Sequence, residues 1–315
     1  MPTDPIDAVL GGLLVHQFDT WLTGALRRSR RVTLALVYAG PPGDSAATVL
    51  RAVATAADRV RGQRLTVVVL AEDPGLPARL APLAAGLPAE VTVHPVPGAP
   101  DRLPVVLKAA GAAGAPLLTA LSDPTGETLD GPAGRGLLAA ATSGRPADLL
   151  LASGTGRAGG AVEAGTARAA VSRFPLVAEV ETVPVGDAPP WLFALGTNSD
   201  RNLEAFKDGI WRAGAAAGLR HRDVDGTPRD LDAEPDPSAL SDLLRAELDR
   251  CGPRTVTELR RHVLTGTPYR AVDALRALTA LLDAGTVTRS PADGRLAGDV
   301  IVHPAPGDTG VHSRR

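Results

Sequence analysis

The sequence predicts an α/β protein with a mostly parallel, Rossmann-like sheet, followed by a small winged-helix domain. Buried apolar strands such as VTLALVY (32–38) and LTVVVL (65–70) alternate with helices over the first two thirds of the chain. A polar, proline-containing stretch at 222–237 then interrupts the pattern. Three amphipathic helices and a hairpin follow it, and a length of 315 residues suits two domains.

The first domain, 1–221, opens with a helix over 10–26, where apolar side chains recur at close to the helical period. Six strands are predicted after it, at 32–38, 65–70, 91–96, 116–121, 148–152 and 191–195. The helices between and after them are predicted at 45–60, 78–85, 103–113, 137–142, 163–171 and 203–215. Right-handed crossovers would bring the carboxyl ends of the parallel strands to one edge, where ligands bind.

The second domain, 238–304, follows the predicted linker 222–237 and precedes a tail, 305–315, that is predicted to be disordered. Helices are expected at 240–248, 255–264 and 269–284, the last one opened by Thr267 and Pro268. Two strands, 286–289 and 299–303, flank the turn signal Asp293-Gly294. This order of elements is typical of a winged helix.

Composition excludes several classes of protein. A single cysteine, Cys251, rules out an internal disulfide or an all-cysteine metal site. No apolar run approaches the roughly 20 residues that span a bilayer, and the amino terminus is acidic where a signal peptide is basic. We therefore expect a soluble, cytoplasmic protein without membrane contact. The formal net charge of -2 means that any nucleic-acid binding must come from a local patch.

Small and acidic residues follow the first two strands. Gly40 and Gly43 would let a ligand approach the backbone and the next helix, although the prolines between them also fit an ordinary turn. Glu72 and Asp73 end the second strand, where an acid can bind ribose hydroxyls. The alternative is that Asp73 caps the following helix.

Asp123 and Pro124 end the fourth strand. They could place a carboxylate and a carbonyl beside an amino group that is being modified. The alternative is a local turn in which the aspartate binds its own backbone.

Four arginines of the second domain are candidates for phosphate contacts. Arg270 and Arg276 are predicted on the outer face of its third helix, and Arg289 and Arg295 flank the hairpin turn. Because this domain is nearly neutral, the alternative is that the winged helix serves protein contact or dimerisation.

Four segments together resemble the three-Cys-motif partner (TcmP) family, over nearly the whole chain. They are the opening helix that runs into VYAGPPG (37–43), then LTALSDPTG (118–126), WLFALGTNSDRNLEAFKDGIW (191–211) and VLTGTPYRAVDALRALTALL (263–282). The resemblance implies a fold similar to class I S-adenosylmethionine (SAM) methyltransferases, a winged helix, and a partner with three clustered cysteines that resembles radical-SAM proteins.

The resemblance also implies roles for the candidate residues. Gly40 and Gly43 would shape the methionine pocket of SAM, Glu72 beside Asp73 would hold the ribose, and Asp123 with Pro124 would orient the methyl acceptor. The sequence departs from the family pattern where Leu36 or Val37 replaces an aspartate and Thr125 replaces an aromatic residue. Two functions therefore stay open: a diverged methyltransferase-like protein, or a non-enzymatic adaptor that uses the α/β domain as a scaffold.

Overall fold

The computed structural model describes residues 4–112, 114–154, 165–184, 186, 188–232 and 234–305. The chain divides into two compact units, Met1–Leu231 and Asp232–Arg315. The first half of the predicted linker belongs to the first unit, because residues 220–230 fold into a short hairpin that extends the sheet. Of the predicted tail, only Ala305 falls within the described residues.

The described residues of the first unit form seven α-helices, two short 3-10 helices (Ala57–Val60 and Pro100–Arg102) and nine strands. The helices are α1 (Pro5–Arg28), α2 (Ser45–Thr55), α3 (Leu76–Ala85), α4 (Leu103–Ala109), α5 (Gly131–Ala141), α6 (Gly165–Val171) and α7 (Asp200–Ala216). The strands are β1 (Arg31–Tyr38), β2 (Arg64–Ala71), β3 (Val91–Pro97), β4 (Leu117–Asp123), β5 (Ala147–Gly154), β6 (Leu176–Val183), β7 (Trp191–Thr197), β8 (Arg220–Arg222) and β9 (Pro228–Asp230).

The strands form one mixed sheet in the order β3-β2-β1-β4-β5-β7-β6-β8-β9. Strands β1 to β5 are parallel to one another, whereas β7 runs antiparallel to both β5 and β6. The predicted mostly parallel α/β sheet is therefore confirmed. The strand order reverses between β1 and β4, which makes their carboxyl ends the expected ligand site.

Helices cover both faces of the sheet. On one face α1 packs against α7, and close approach is possible because Gly12 and Gly209 face Ala213 and Leu13 across the contact. On the other face, apolar side chains of α4, α5 and α6 form a core with the strands. The arrangement buries the central strands on both sides, which accounts for their unbroken apolar runs.

Strand β6 is absent from the sequence prediction. Its burial alternates along the strand, with Ala178 and Val180 buried and Glu179 and Glu181 partly exposed. Such a strand lacks the continuous apolar run that identifies β1 and β2. The short strands β8 and β9 are too polar to be found by hydrophobic pattern.

The second unit contains helices α8 (Ser238–Cys251), α9 (Val256–Gly266) and α10 (Ala271–Asp283). Its strands are β10 (Arg254–Thr255), β11 (Val287–Ser290) and β12 (Ile301–Pro304), which form an antiparallel sheet in the order β10-β12-β11. The prediction that Thr267 and Pro268 open the third helix is wrong. Thr267 instead ends α9, where its hydroxyl donates to Val263 O, and Arg270 is the N-cap of α10.

No helix in the described parts of the chain combines the length and the apolar character that crossing a membrane requires.

Candidate functional site

The carboxyl ends of β1 and β4 bring two predicted ligand loops together. The loop after β1 holds Gly40 and Gly43, and the loop after β4 begins at Asp123. Ala39 N donates to Ser122 O over 2.9 Å, so the two loops start side by side. The structure thus assembles these residues at the point where the strand order reverses.

The amino terminus of α2 is occupied by a side chain from α1. Asp7 Oδ2 accepts hydrogen bonds from the backbone N–H groups of Asp44 and Ser45, at 2.7 and 3.2 Å. A Cβ atom added to Gly43 would lie 2.5 Å from the Asp7 carboxylate. The absence of a side chain at Gly43 therefore leaves space for the Asp7 carboxylate. This carboxylate accepts from the two backbone amides that a bound anion would need.

Gly40 keeps a conformation that suits glycine. Its φ is 121°, and a Cβ atom there would meet no atom within 4 Å. The backbone at Gly40 is accordingly open, and a ligand could approach it.

A buried tyrosine, Tyr38, supports the loop between β1 and α2. Tyr38 ends β1, and its hydroxyl donates to Ser45 Oγ over 3.2 Å, while the same Oγ donates its own hydrogen to Pro42 O at 2.9 Å. Burial raises the pKa of the Tyr38 phenol far above its ordinary value, so it stays protonated at any physiological pH. These contacts fix the path of the loop from β1 to α2.

Glu72 and Asp73 differ in their surroundings. Asp73 Oδ1 accepts from Gly75 N at 2.8 Å, and its Oδ2 forms an ion pair with Arg79 at 2.8 Å. Asp73 thus binds the turn that leads into α3 without capping the helix, whose N-cap is Gly75. Glu72 is exposed, and among the described residues its carboxylate has no ion pair. Glu72 is therefore the acid at this edge that remains available to a ribose hydroxyl.

Asp123 organises its own loop. Its side chain is 3% exposed, and Oδ1 accepts from Thr125 N, Thr125 Oγ1 and Gly126 N over 2.8 to 3.1 Å. Oδ2 accepts from Thr128 N at 2.7 Å. The carbonyl of Pro124 packs against Gly154, at a place where a Cβ atom would not fit. Both oxygens of the carboxylate thus serve the local turn, as the alternative interpretation expects.

Two of the four predicted phosphate-binding arginines are ion-paired within the second unit. Arg270 bonds both oxygens of Asp273, with Nε at 2.9 Å and Nη2 at 2.8 Å, and is only 15% exposed. Arg276 pairs with Glu234 at 3.1 Å and lies 3.6 Å from Asp273. Their positive charges are therefore largely balanced internally.

The other two arginines lie at the hairpin. The Arg289 guanidinium donates to the carbonyls of Pro291, Asp293, Gly294 and Arg295 over 2.9 to 3.3 Å, so it holds the turn in shape. Arg295 is exposed at this turn. The structure brings Arg270 and Arg276 together around Asp273, and Arg289 next to Arg295.

The structure also shows a cleft that sequence reasoning missed. A small cleft of about 60 Å³ lies where α1 ends and where β5 and α7 begin, at the opposite edge of the sheet from Gly40. Its lining includes Trp21, Arg28, Asp148, Arg201 and Asn202. The signal in the sequence is the acid Asp148 inside an otherwise apolar strand.

Asp148 is the central group of this cleft. Thr197 Oγ1 and Asn202 Nδ2 donate to its Oδ1, the latter over 3.4 Å. The indole N–H of Trp21 is buried beside the same carboxyl without a hydrogen bond of normal geometry. Burial raises the pKa of Asp148, while these donors and the Arg28 charge oppose the rise.

No group of three metal-binding side chains occurs among the residues that the structure describes. Cys251 is a partly buried free thiol at the end of α8.

No protein-family model matches the sequence, and no curated protein matches it. Among solved structures, the chain is similar to spermidine synthase from Thermotoga maritima, with 14% identity and a TM-score of 0.32 over 55% of each chain. It is also similar to the methyltransferase subunit of a type I restriction-modification system from Streptococcus thermophilus, with 14% identity and a TM-score of 0.34. The match covers 64% of this chain and 45% of that one, so the chain spans about half the length of these neighbours. Similarity at this level establishes no shared activity.

Proposed function

We propose that the chain is a methyltransferase-like protein that acts as a non-enzymatic adaptor. Its first seven strands lie in the order β3-β2-β1-β4-β5-β7-β6, with β7 antiparallel. This is the strand order of the class I methyltransferase sheet, and it supports the relationship that the resemblance to the three-Cys-motif partner family implies. A fold alone does not determine an activity, and the function depends on the residues of the site.

The observation that carries the proposal is the position of Asp7. In a Rossmann-like site the first loop and the following helix face the ligand. Here the amides of Asp44 and Ser45 already bind the Asp7 carboxylate. The carboxylate of SAM would have to displace this internal anion or lie beside its negative charge. The residues present at the loop therefore do not fit that part of SAM.

The acceptor side of the site supports the same conclusion. Asp123, the residue expected to orient a methyl acceptor, uses both carboxylate oxygens to bind the loop that follows it. A substrate amine would compete with these hydrogen bonds. The loop after β1 is thus stabilised by Asp7 of α1 and the loop after β4 by its own Asp123, as suits a scaffold.

The second unit suits a winged helix that contacts protein. Its element order, α8-β10-α9-α10-β11-β12, and its three-stranded antiparallel sheet fit the winged-helix arrangement. Arg270 and Arg276 form ion pairs with Asp273 and Glu234, which balance their charges. We further propose that the partner of the adaptor is the one that the family resemblance suggests, a three-Cys-motif protein similar to radical-SAM proteins.

A thermal-shift assay with SAM tests the adaptor function. A ligand that binds only the folded state raises its stability by RT ln(1 + [L]/Kd). We expect the wild-type melting temperature to stay unchanged at millimolar SAM. The Asp7→Ala variant, compared with its own ligand-free sample, reports whether removing the internal anion restores an affinity. A clear upward shift for the wild-type protein would contradict the proposal.

The second candidate function is a SAM-dependent methyltransferase, and one observation favours it. Glu72 ends β2 with an exposed carboxylate in the position from which an acid can hold a ribose. If SAM binds, Glu72→Ala should weaken the affinity by roughly 1–3 kcal/mol, the usual cost of leaving a polar partner unsatisfied. Asp73→Ala is the matched control, because Asp73 is bound to Gly75 and Arg79.

A further inference from the structure

The amino-terminal edge of the main sheet is lined with arginine. Helix α1 ends and β1 begins at this edge, and the connection between them places four exposed arginines there, Arg27, Arg28, Arg30 and Arg31. None of the four has an ion pair within the described residues. The α1 carboxyl terminus favours nearby cations, which helps to explain how such a cluster is tolerated.

The charge continues along the sheet. Arg64 begins β2, Arg145 precedes β5, Arg173 precedes β6, and Arg201 lies in the first turn of α7. All four side chains are exposed, and none has an ion pair in the described part of the chain. From β2 to β6 the edge crosses five strand spacings, which is about 24 Å at roughly 4.8 Å each. We name this surface, from Arg64 to Arg173, the arginine edge.

Acids offset this charge only in part, since Asp148 lies buried in the cleft beside Arg28 and Arg201. Asp58 is paired with Arg61, which is itself exposed at the same edge. Glu90 stands before β3, outside the arginine edge, and Asp200 lies in the first turn of α7. The opposite edge of the sheet instead carries acids, among them Glu72 and Asp123.

Two of the arginines face each other directly. Arg31 and Arg64 are partners in the parallel register of β1 and β2, and Arg64 N donates to Arg30 O over 2.7 Å. Like charges in such positions repel and cost stability. A bound anion between them would relieve that repulsion, whereas no acidic side chain of the described residues does so.

We propose that the arginine edge binds the phosphate backbone of a nucleic acid. Duplex DNA presents a charge about every 1.7 Å along its axis, so an edge of about 24 Å can contact several phosphates at once. Guanidinium groups bind phosphate oxygens with two parallel hydrogen bonds. The contacts are to the backbone, so binding is independent of sequence. This role goes beyond the adaptor function and places nucleic acid on the α/β unit.

Fluorescence anisotropy with three labelled probes of about 20 nucleotides or base pairs tests the inference: single-stranded RNA, duplex RNA and duplex DNA. The test variant is Arg31→Ala/Arg64→Ala. The control is Arg102→Ala/Arg135→Ala, which removes the same charge from exposed sites at the start of α4 and on α5. Circular dichroism should match the wild type for both, and neither variant should melt below it.

We expect the tightest probe to bind the wild type with a steep salt dependence. At about 50 mM salt the test variant should bind it roughly tenfold to a hundredfold more weakly, and its salt slope should fall by about two. The control should change the affinity by less than about threefold if its arginines make no phosphate contact. The probe that binds most tightly identifies the kind of nucleic acid.

Three results would overturn the inference. One is the absence of salt-dependent binding of any probe at low salt. Another is an equal loss of affinity in the test and control variants, because that would place the contact elsewhere. The third is displacement of the probe by polyglutamate as efficiently as by unlabelled nucleic acid, which would assign the surface to an acidic protein.

Discussion

Gly43 and Asp7 form a close contact between the loop after β1 and the first turn of α1. The carboxylate fills the space where a Cβ atom of residue 43 would be, at 2.5 Å, and the φ of Gly43 is 51°. The contact joins segments that are 36 positions apart in the chain and closes the amino terminus of α2. It is the structural basis of the adaptor proposal.

A double-mutant cycle measures this contact. Gly43→Ala should destabilise the protein both by backbone strain, roughly 1–2 kcal/mol, and by overlap with Asp7. Asp7→Ala alone should cost about 1 kcal/mol, as the loss of a helix cap does. In the Asp7→Ala background the overlap is gone, so Gly43→Ala should cost only its strain. Urea unfolding gives the four values, and strictly additive effects would show that the contact is absent.

The Asp123 loop provides a second test of stability. Asp123→Ala removes four hydrogen bonds from a buried carboxylate and leaves three backbone N–H groups without their acceptor. We expect a loss of roughly 2–4 kcal/mol in the free energy of unfolding. Glu127→Ala, at an exposed position of the same loop, is the control and should be nearly neutral. A neutral Asp123→Ala variant would mean that the carboxylate does not hold the loop.

Lys207 should make stability depend on pH. Its side chain is fully buried in α7 and its Nζ donates to Glu179 O at 2.7 Å. Burial lowers the pKa of Lys207 to about 7, against an ordinary value of 10.5. Above pH 7 the unfolded chain therefore holds a proton that the folded protein has released, and stability rises with pH.

The rise from this group should be about 2 kcal/mol between about pH 7 and about pH 9, and it should level off below about pH 7. Lys207→Met should abolish that increment, as measured by urea unfolding at each pH. Lys108→Met, which changes the one other lysine at an exposed position, should keep it. An increment of equal size in the Lys207→Met variant would assign the pH dependence to other groups.

Arg270 should matter for the stability of the second unit. Asp273 is 3% exposed and would lose its main partner in Arg270→Ala. Breaking a buried ion pair costs roughly 3–5 kcal/mol, and the Arg276 contact at 3.6 Å should reduce the loss. Arg295→Ala, at the exposed hairpin, should leave the melting temperature unchanged. If Arg270→Ala melted like the wild type, the ion pair would contribute nothing to folding.

Much of the fold could be predicted from the sequence because its strands are buried on both faces. The runs at β1, β2, β4 and β5 are long and apolar, and each was found to within a few residues. Strand β6 was not predicted because its burial alternates, so that Glu179 and Glu181 interrupt the apolar run. The predicted helix 163–171 is described only from residue 165, as α6.

The site was harder to predict than the fold. Residue type and position at a strand end indicated Asp123 and Asp73, but left open whether Asp123 serves a ligand or its own turn, and did not reveal the ion pair of Asp73 with Arg79. The role of Asp7 depends on the packing of α1 against α2, a long-range contact that no local pattern reveals. The arginine edge likewise requires the strand order, because its members are scattered from residue 27 to residue 201.

Isothermal titration of the wild-type protein with SAM shows whether the site at the carboxyl edge of the sheet still serves a cofactor. With the amides of Asp44 and Ser45 held by Asp7, we expect no binding heat at millimolar SAM. Saturable binding with one site per chain and a micromolar Kd, weakened in Glu72→Ala, would show that the site still serves a cofactor and would favour the methyltransferase candidate.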